Sequence, residues 1–411
     1  MITVIGLDGS PLTAAAAAAL ARASLVAGGR RHLGAVRPPD GVRTVPIGDL
    51  RPALDAVAGH DGDAVVLASG DPGFFGIVRA LRARGLAFTV IPAVSSVALA
   101  FARAGLGWDD AVVVSAHGRD PRRALNVCRA YPKVAVLTGP GAGPAEIGAA
   151  LAGWDRRLLV CERLGEPGER LTECEPEQAA SRDWADPNVL LVLAPDDAAS
   201  EEPGAGPGWM WPRPPAAGAA PGWALAEDRF DSRDAVITKA EVRALALARL
   251  APGPGTLIWD VGAGTGSVGI ECTRFGAAVI AVERDERRCA LIRENARRHR
   301  AGLRVVCGEA PGALAGLPGP DAVFVGGGGP GVVADVAKLN PDRIVVAVAA
   351  VERTGQAHAA LSGAGYAVAG SLIQAARLAP LPGDAHRLAG ANPVFLLWAT
   401  APARSSRGAA P

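Results

Sequence analysis

The stretch Thr256-Leu257-Ile258-Trp259-Asp260-Val261-Gly262-Ala263-Gly264-Thr265-Gly266 decides how the rest of this chain is read. Four apolar residues run into alternating glycines, the pattern of a buried strand that ends in a tight turn. Ser267 to Cys272 then continues with helical character. Glycines in such a turn let the backbone approach a ligand closely, and the helix behind them offers unpaired N–H groups. A dinucleotide fingerprint requires a third glycine at the GxGxxG position, which is Ser267 here. About twenty residues further on, Val279-Ile280-Ala281-Val282 forms a second strand ending in Glu283, a carboxylate placed to accept from ribose hydroxyls.

Glycines spaced GxGxG, Asp260 two residues before the first of them and Glu283 after the next strand resemble the nucleoside site of S-adenosylmethionine (SAM)-dependent methyltransferases with a Rossmann-like sheet. That resemblance assigns Asp260, Gly262, Ala263, Gly264, Thr265, Gly266 and Glu283 to cofactor binding. Upstream, Thr238 with Glu241 three residues later reads as a capping box. The same Thr238-Lys239-Ala240-Glu241-Val242-Arg243 also resembles the decarboxylating methyltransferase family that acts at carbon 15 of a corrin precursor, in which the threonine touches SAM. Gly308-Glu309-Ala310-Pro311, where such folds pack the adenine, and Asn392-Pro393-Val394-Phe395 carry the same resemblance, which spans about residues 221 to 399. With strands at Asp321–Val325, Arg343–Val348 and Val394–Trp398, a sheet of about seven is expected.

The first half has its own punctuation. Ile2 to Ile5 runs into Gly6-Leu7-Asp8-Gly9 and a helix starting near Pro11. Asp63 to Ala68 ends in Ser69-Gly70-Asp71-Pro72-Gly73, and Phe88 to Ile91 leads to Pro92-Ala93-Val94-Ser95-Ser96. Glycine and proline around a carboxylate fix backbone at the carboxyl end of a strand, where α/β crevices form. Their order is similar to the tetrapyrrole methylase family, and Val114-Ser115-Ala116-His117-Gly118-Arg119 resembles its subgroup that methylates a corrin precursor at carbon 5. The family form has Gly-Pro-Gly where this chain has Leu7-Asp8-Gly9. The resemblance covers about residues 1 to 196 and implies two α/β lobes holding SAM, with Gly70, Asp71, Pro72, Ser95 and Ser96 as cofactor residues.

The expected fold class is therefore α/β, a two-lobed tetrapyrrole methylase fold followed by a Rossmann-like seven-stranded SAM methyltransferase fold. The boundaries are residues 1–196 and 223–400, a Pro/Gly/Ala-rich linker at 197–222 and a patternless tail at 401–411. Trp209 and Trp211 in the linker are expected to dock on a domain. Together the resemblances imply two methylations of one corrin precursor in cobalamin biosynthesis, at carbons 5 and 15, with ring C acetate leaving as carbon dioxide. They imply two SAM sites, no metal and a homo-oligomer. His117, Arg119, Lys239 and His386 are the expected catalytic residues. Arg243, Arg353 and Arg377 are further candidates for gripping substrate carboxylates.

Composition narrows the alternatives. Among 411 residues, 42 basic side chains against 41 acidic ones leave no basic excess, which argues against nucleic acid as partner and for a small molecule. No apolar window reaches membrane-span length, and the alanine run at 14–19 lacks a preceding basic residue, so no signal peptide, no membrane and a cytoplasmic location are expected. Six scattered cysteines read as unpaired thiols. A methyltransferase for another substrate, or a module binding NAD through the glycine loop, stays open at this point.

Overall fold

A computed structural model describes residues 1–118, 120–195, 222–232 and 237–402. The chain divides into two compact units, one of residues 1–119, 135–149 and 157–193, the other of 120–134, 150–156 and 194–411. The expected linker apart from Gly222, both its tryptophans, and the tail beyond residue 402 lie outside the described residues. Among the described residues no helix is long and apolar enough to cross a membrane.

The first unit holds two five-stranded sheets. The first is built from β1 (Ile2–Leu7), β2 (Leu25–Gly28), β3 (Arg43–Pro46), β4 (Ala64–Ser69) and β5 (Phe88–Ile91) in the order β3-β2-β4-β1-β5. Every pairing in it is parallel. Val4, Leu25, Ala27 and Val66 face one buried layer while Ile5, Val26, Val65 and Leu67 face the other, as a sheet covered on both faces requires. The alanine run forms a helix, Ala14–Arg22, which begins later than Pro11 because Thr13 Oγ1 accepts the Ala16 N–H and sets its start. The second sheet comprises β6 (Val112–Ser115), β7 (Lys133–Leu137), β8 (Arg157–Glu162), β9 (Arg170–Cys174) and β10 (Asn188–Leu193), ordered β6-β7-β10-β8-β9. Its β10-β8 and β8-β9 pairings are antiparallel.

The second unit carries β11 (Leu257–Val261), β12 (Ala278–Glu283), β13 (Arg304–Cys307), β14 (Ala322–Val325), β15 (Arg343–Val348), β16 (Ala367–Ile373), β17 (Ala376–Pro380), β18 (His386–Gly390) and β19 (Val394–Thr400). Seven of these form one sheet in the order β13-β12-β11-β14-β15-β19-β16, with β19 antiparallel to both neighbours. Leu257, Trp259 and Val261 point into one core layer and Ile258 into the other, so β11 is apolar on both sides because it is central. β17 and β18 make a separate two-stranded ribbon on which Leu378 and Leu388 are exposed.

Two expectations change here. Lys239, not Thr238, precedes the helix Ala240–Leu250, and no side chain caps it from that position. Instead the Ala240 N–H donates to Glu227 Oε1, and Thr238 is held through its carbonyl by Arg243 Nη1 at 2.6 Å. Cys289, in the first turn of the helix Glu286–Arg298, is paired as a disulfide with Cys307 at the end of β13, a neighbour in space that lies 18 residues away in sequence. Cys128, Cys161, Cys174 and Cys272 are buried and free as expected.

Arg243 and Glu271 form an ion pair at 2.5 Å with both side chains fully buried. Glu271 also accepts from the Ala224 and Leu225 N–H groups, and Arg243 donates to the Leu225 carbonyl. The pair therefore ties the segment entering this unit to the helices Ala240–Leu250 and Ser267–Arg274. Arg243→Met should lower the unfolding free energy of this unit by about 3–5 kcal/mol, because it strands a buried carboxylate. Urea titration checks this, and a loss below about 1 kcal/mol, the size of a surface pair, contradicts it.

Candidate active sites

In the second unit the loop after β11 turns through three left-handed glycines, Gly262 at φ 71°, Gly264 at φ 59° and Gly266 at φ 77°. Gly262 also has no room for a side chain, since a Cβ there would lie 2.7 Å from the Gly327 nitrogen. Asp260, almost wholly buried, accepts the Gly269 N–H at 2.8 Å through Oδ2 and so locks the first turn of the helix Ser267–Arg274 to β11. Its Oδ1 is buried with no hydrogen-bond partner among the described residues. Burial pushes the Asp260 carboxyl up to about 7, and the charge of Glu283 adds to this.

Glu283 ends β12 as expected. Its Oε2 accepts from Gly264 N–H at 2.9 Å and its Oε1 from Asp285 N–H at 3.2 Å, so it braces the glycine loop. Each carboxylate oxygen keeps capacity for a second donor. The Glu283 carbonyl accepts from Gly308 N–H, which brings the Gly308-Glu309-Ala310 turn to the same edge. Thus Asp260, Gly262, Ala263, Gly264, Thr265, Gly266, Glu283 and Ala310 are gathered at the carboxyl ends of β11, β12 and β13. Asn295 is a member that the sequence reading missed. Its Nδ2 donates to the Thr265 carbonyl at 3.0 Å and to the Asp231 carbonyl, while its Oδ1 accepts from Asp231 N–H. It lies on the same buried stripe as Cys289, Ile292 and Ala296, and a polar residue on an apolar stripe was the available signal.

The carboxylate-gripping candidates separate. Arg243 is committed to Glu271 and inaccessible. Arg377 is also occupied: its guanidinium makes four hydrogen bonds, two to Glu227 and two to Glu241, and holds Glu227 down to about 2. Arg353 is exposed on the helix Val351–Gly363, Lys239 is half-buried beside Thr238, and His386 is exposed on the ribbon strand β18.

In the first unit three loops meet at the carboxyl ends of β1, β4 and β5. A Cβ on Gly6 would fall 2.2 Å from the Gly70 carbonyl oxygen, and Gly70 N–H donates to the Leu7 carbonyl. Asp71 Oδ1 accepts from Gly73 N–H at 2.8 Å, which fixes the Gly70-Asp71-Pro72 turn. Ser95 caps the helix Ser96–Ala104 through the Ala98 N–H. Asp8, standing where the family form has proline, joins the loops: Oδ1 accepts from Ser10 N–H and Oδ2 from Val94 N–H. These bonds hold its carboxyl below the usual range although burial acts the other way. A cavity of about 360 Å³ opens here, lined by Gly6, Leu7, Asp8, Ile91, Ala93 and Val94 among others. His117, after β6, places Nδ1 3.3 Å from the Thr138 carbonyl, so Nδ1 carries the proton and Nε2 is an acceptor. Arg119 lies outside the described residues. Among the described residues no group of three His, Cys, Asp or Glu side chains is arranged to hold a metal ion.

Two family profiles match the chain, Tetrapyrrole (Corrin/Porphyrin) Methylases over residues 4–180 and Precorrin methyltransferase domain over residues 228–400. A precorrin-6Y C(5,15)-methyltransferase (decarboxylating) of Sinorhizobium sp is 40% identical over 345 residues, which cover 80% of this chain and 78% of that one. Two separate proteins of Salmonella typhimurium are also similar. Its cobalt-precorrin-7 C(5)-methyltransferase is 34% identical over 47% of this chain and 98% of its own length. Its cobalt-precorrin-6B C(15)-methyltransferase (decarboxylating) is 36% identical over 39% of this chain and 87% of its own.

The buried Asp260 gives a pH signature. Its folded-state value of about 7 exceeds the ordinary 3.8, so the native state keeps a proton that the unfolded chain has released, and stability falls as pH rises from 3.8 to about 7. Asp260→Asn keeps an oxygen for Gly269 N–H and removes that dependence. Urea midpoints of the variant minus wild type should rise across this window, and parallel curves would contradict the assignment.

Proposed function

The chain belongs to the precorrin-6Y C(5,15)-methyltransferase (decarboxylating) family, and from that premise we propose that it adds methyl groups to carbons 5 and 15 of precorrin-6 and removes the ring C acetate as carbon dioxide, giving precorrin-8. In this reading residues 1–196 serve carbon 5, and residues 223–400 serve carbon 15 and the decarboxylation. The observation that carries it is the presence of two loop assemblies at sheet ends, built on different strand orders and different glycine spacings.

The residues of both assemblies fit SAM. In the second unit the left-handed glycines let the loop lie directly against Gly327 and Ile292, and Glu283 beside it has acceptor capacity for ribose hydroxyls. Thr238 and Ala310 would flank the nucleoside. In the first unit Gly70, Asp71, Pro72, Ser95 and Ser96 are assigned to the cofactor, beside a cleft whose lining includes Gly6, Asp8 and Val94. When bound, SAM supplies a methyl group on a sulfonium, whose departure leaves a neutral thioether. The chain's contribution is position: a ring carbon held in line needs no protein nucleophile, and alignment alone is worth several kcal/mol, on the order of 7–11 in the best cases. Asp260, buried behind its loop, and Asp8, in the wall of its cleft, tie the loops together, which keeps that alignment.

Lys239 at the helix start is proposed to meet a substrate carboxylate, and His117 Nε2, facing away from Thr138, to accept a proton or hydrogen bond at carbon 5. Arg119 is assigned to the same substrate contact. His386 is proposed as a proton donor for the decarboxylated carbon, with the conjugated macrocycle as electron sink. A homo-oligomeric, cytoplasmic protein with two SAM sites and no metal belongs to the same reading.

Two substitutions test the division of labour. Gly264→Arg puts a side chain where φ is 59° and the N–H is committed to Glu283, so it should abolish methylation at carbon 15. Asp71→Ala releases Gly73 N–H and should impair carbon 5 more. Mass spectrometry of the products decides, and equal loss of both steps from either change contradicts the proposal.

A further inference from the structure

The helix Arg30–Val36, which follows β2, places Arg31 and His32 against Ser69, the last residue of β4. β4 lies between β2 and β1, and Ser69 is in register with Leu7, next to Asp8. Ser69 therefore stands between the start of that helix and the cleft of the first unit, directly before Gly70.

Arg31 Nη2 donates to Ser69 Oγ at 3.1 Å and reaches His32 Nε2 at 3.2 Å, while Ser69 Oγ lies 3.0 Å from the same Nε2. A guanidinium has only donors, so Nε2 accepts and the imidazole proton sits on Nδ1. Nδ1 itself is buried without a partner among the described residues. Burial, helped by the charge of Arg31, holds His32 down to about 4, which keeps the ring neutral near pH 7. His32 Nε2 thus has two donors competing for it. If Ser69 turns its O–H toward a ligand, Arg31 still satisfies Nε2, and the cost of an orphaned buried acceptor is avoided. Ser69 and Arg31 are exposed, and Glu166 Oε1, 3.0 Å from Arg31 Nη1, fixes the guanidinium from its other side. The Ser69 O–H, together with the Arg31 N–H groups that Ser69, His32 and Glu166 do not take, remains to donate to a carboxylate.

We propose that Arg31 and Ser69 form a carboxylate subsite for the tetrapyrrole in the carbon 5 reaction, with His32 as the positioning residue that holds both. This rests on the function proposed above, in which the substrate carries several carboxylates.

The test uses the full chain with metal-free precursor and SAM, following the carbon 5 product by mass spectrometry, with calorimetry of the demethylated cofactor alongside. Ser69→Ala should raise KM for the tetrapyrrole at the carbon 5 step about tenfold, the loss of one hydrogen bond to a charged group. Its kcat, its cofactor affinity and the carbon 15 step should stay at wild-type values. His32→Leu should move KM the same way, and His32→Gln, whose amide oxygen can accept in place of Nε2, should restore most of it. An unchanged KM in Ser69→Ala and His32→Leu, or a fall in cofactor affinity without a KM change, overturns the subsite. A wild-type chain that never methylates carbon 5 sinks the parent reading instead, whereas an active wild type with an indifferent Ser69→Ala sinks only this inference.

Discussion

Backbone meets backbone without space for a Cβ where Gly6 lies against Gly70 and where Gly262 lies against Gly327. Both lie at the carboxyl ends of parallel strands, where the loops of neighbouring strands must come together to make a crevice. Any side chain there would push the loops apart. The rest of each unit is arranged to make that approach possible: a central strand buried on both faces, helices packed on each side, and short turns that leave the sheet in the same direction.

Close approach leaves backbone N–H groups that need acceptors, and in each unit a carboxylate supplies them. Glu283 takes Gly264 and Asp285, and Asp260 takes Gly269. Asp8 takes Ser10 and Val94, and Asp71 takes Gly73. The carboxylates that looked like ligand contacts are therefore first of all braces, and any contact with a ligand would have to use the acceptor capacity left over. Arg243 and Glu271 extend the same logic to the entry segment. Such a buried pair is weak evidence for net stability, but breaking it is costly, so it fixes where that segment lies.

Much of this was legible in the sequence because apolar runs ending in glycine have one economical structure. β1, β4, β11 and β14 followed from such runs, and β5, β12, β15 and β19 from apolar runs with other endings, Glu283 among them. Less legible was whatever depends on partners distant in sequence. Thr238 and Glu241 have capping-box spacing, yet Glu227 and Arg377 outcompete it for the helix start and for Glu241. Arg377 looked free for substrate, and only the fold reveals its two carboxylate partners. The ribbon β17-β18 was missed because it is exposed on most of its positions and so shows no alternation. Cys289 and Cys307 gave no spacing signal, since their neighbourhood is made by the packing of a helix on β13. Leu25 to Gly28 is too short a run to stand out beside the alanine helix, and with it the Arg31, His32 and Ser69 cluster stayed hidden.

The central claim is that one chain carries two independent SAM sites, each formed by its own set of converging loops. Titration calorimetry of the full chain with the demethylated cofactor tests it most directly. Two sites per chain are predicted, with one of them lost in Gly264→Arg and the other kept. A single site in a wild-type chain whose two units are both folded would contradict the account.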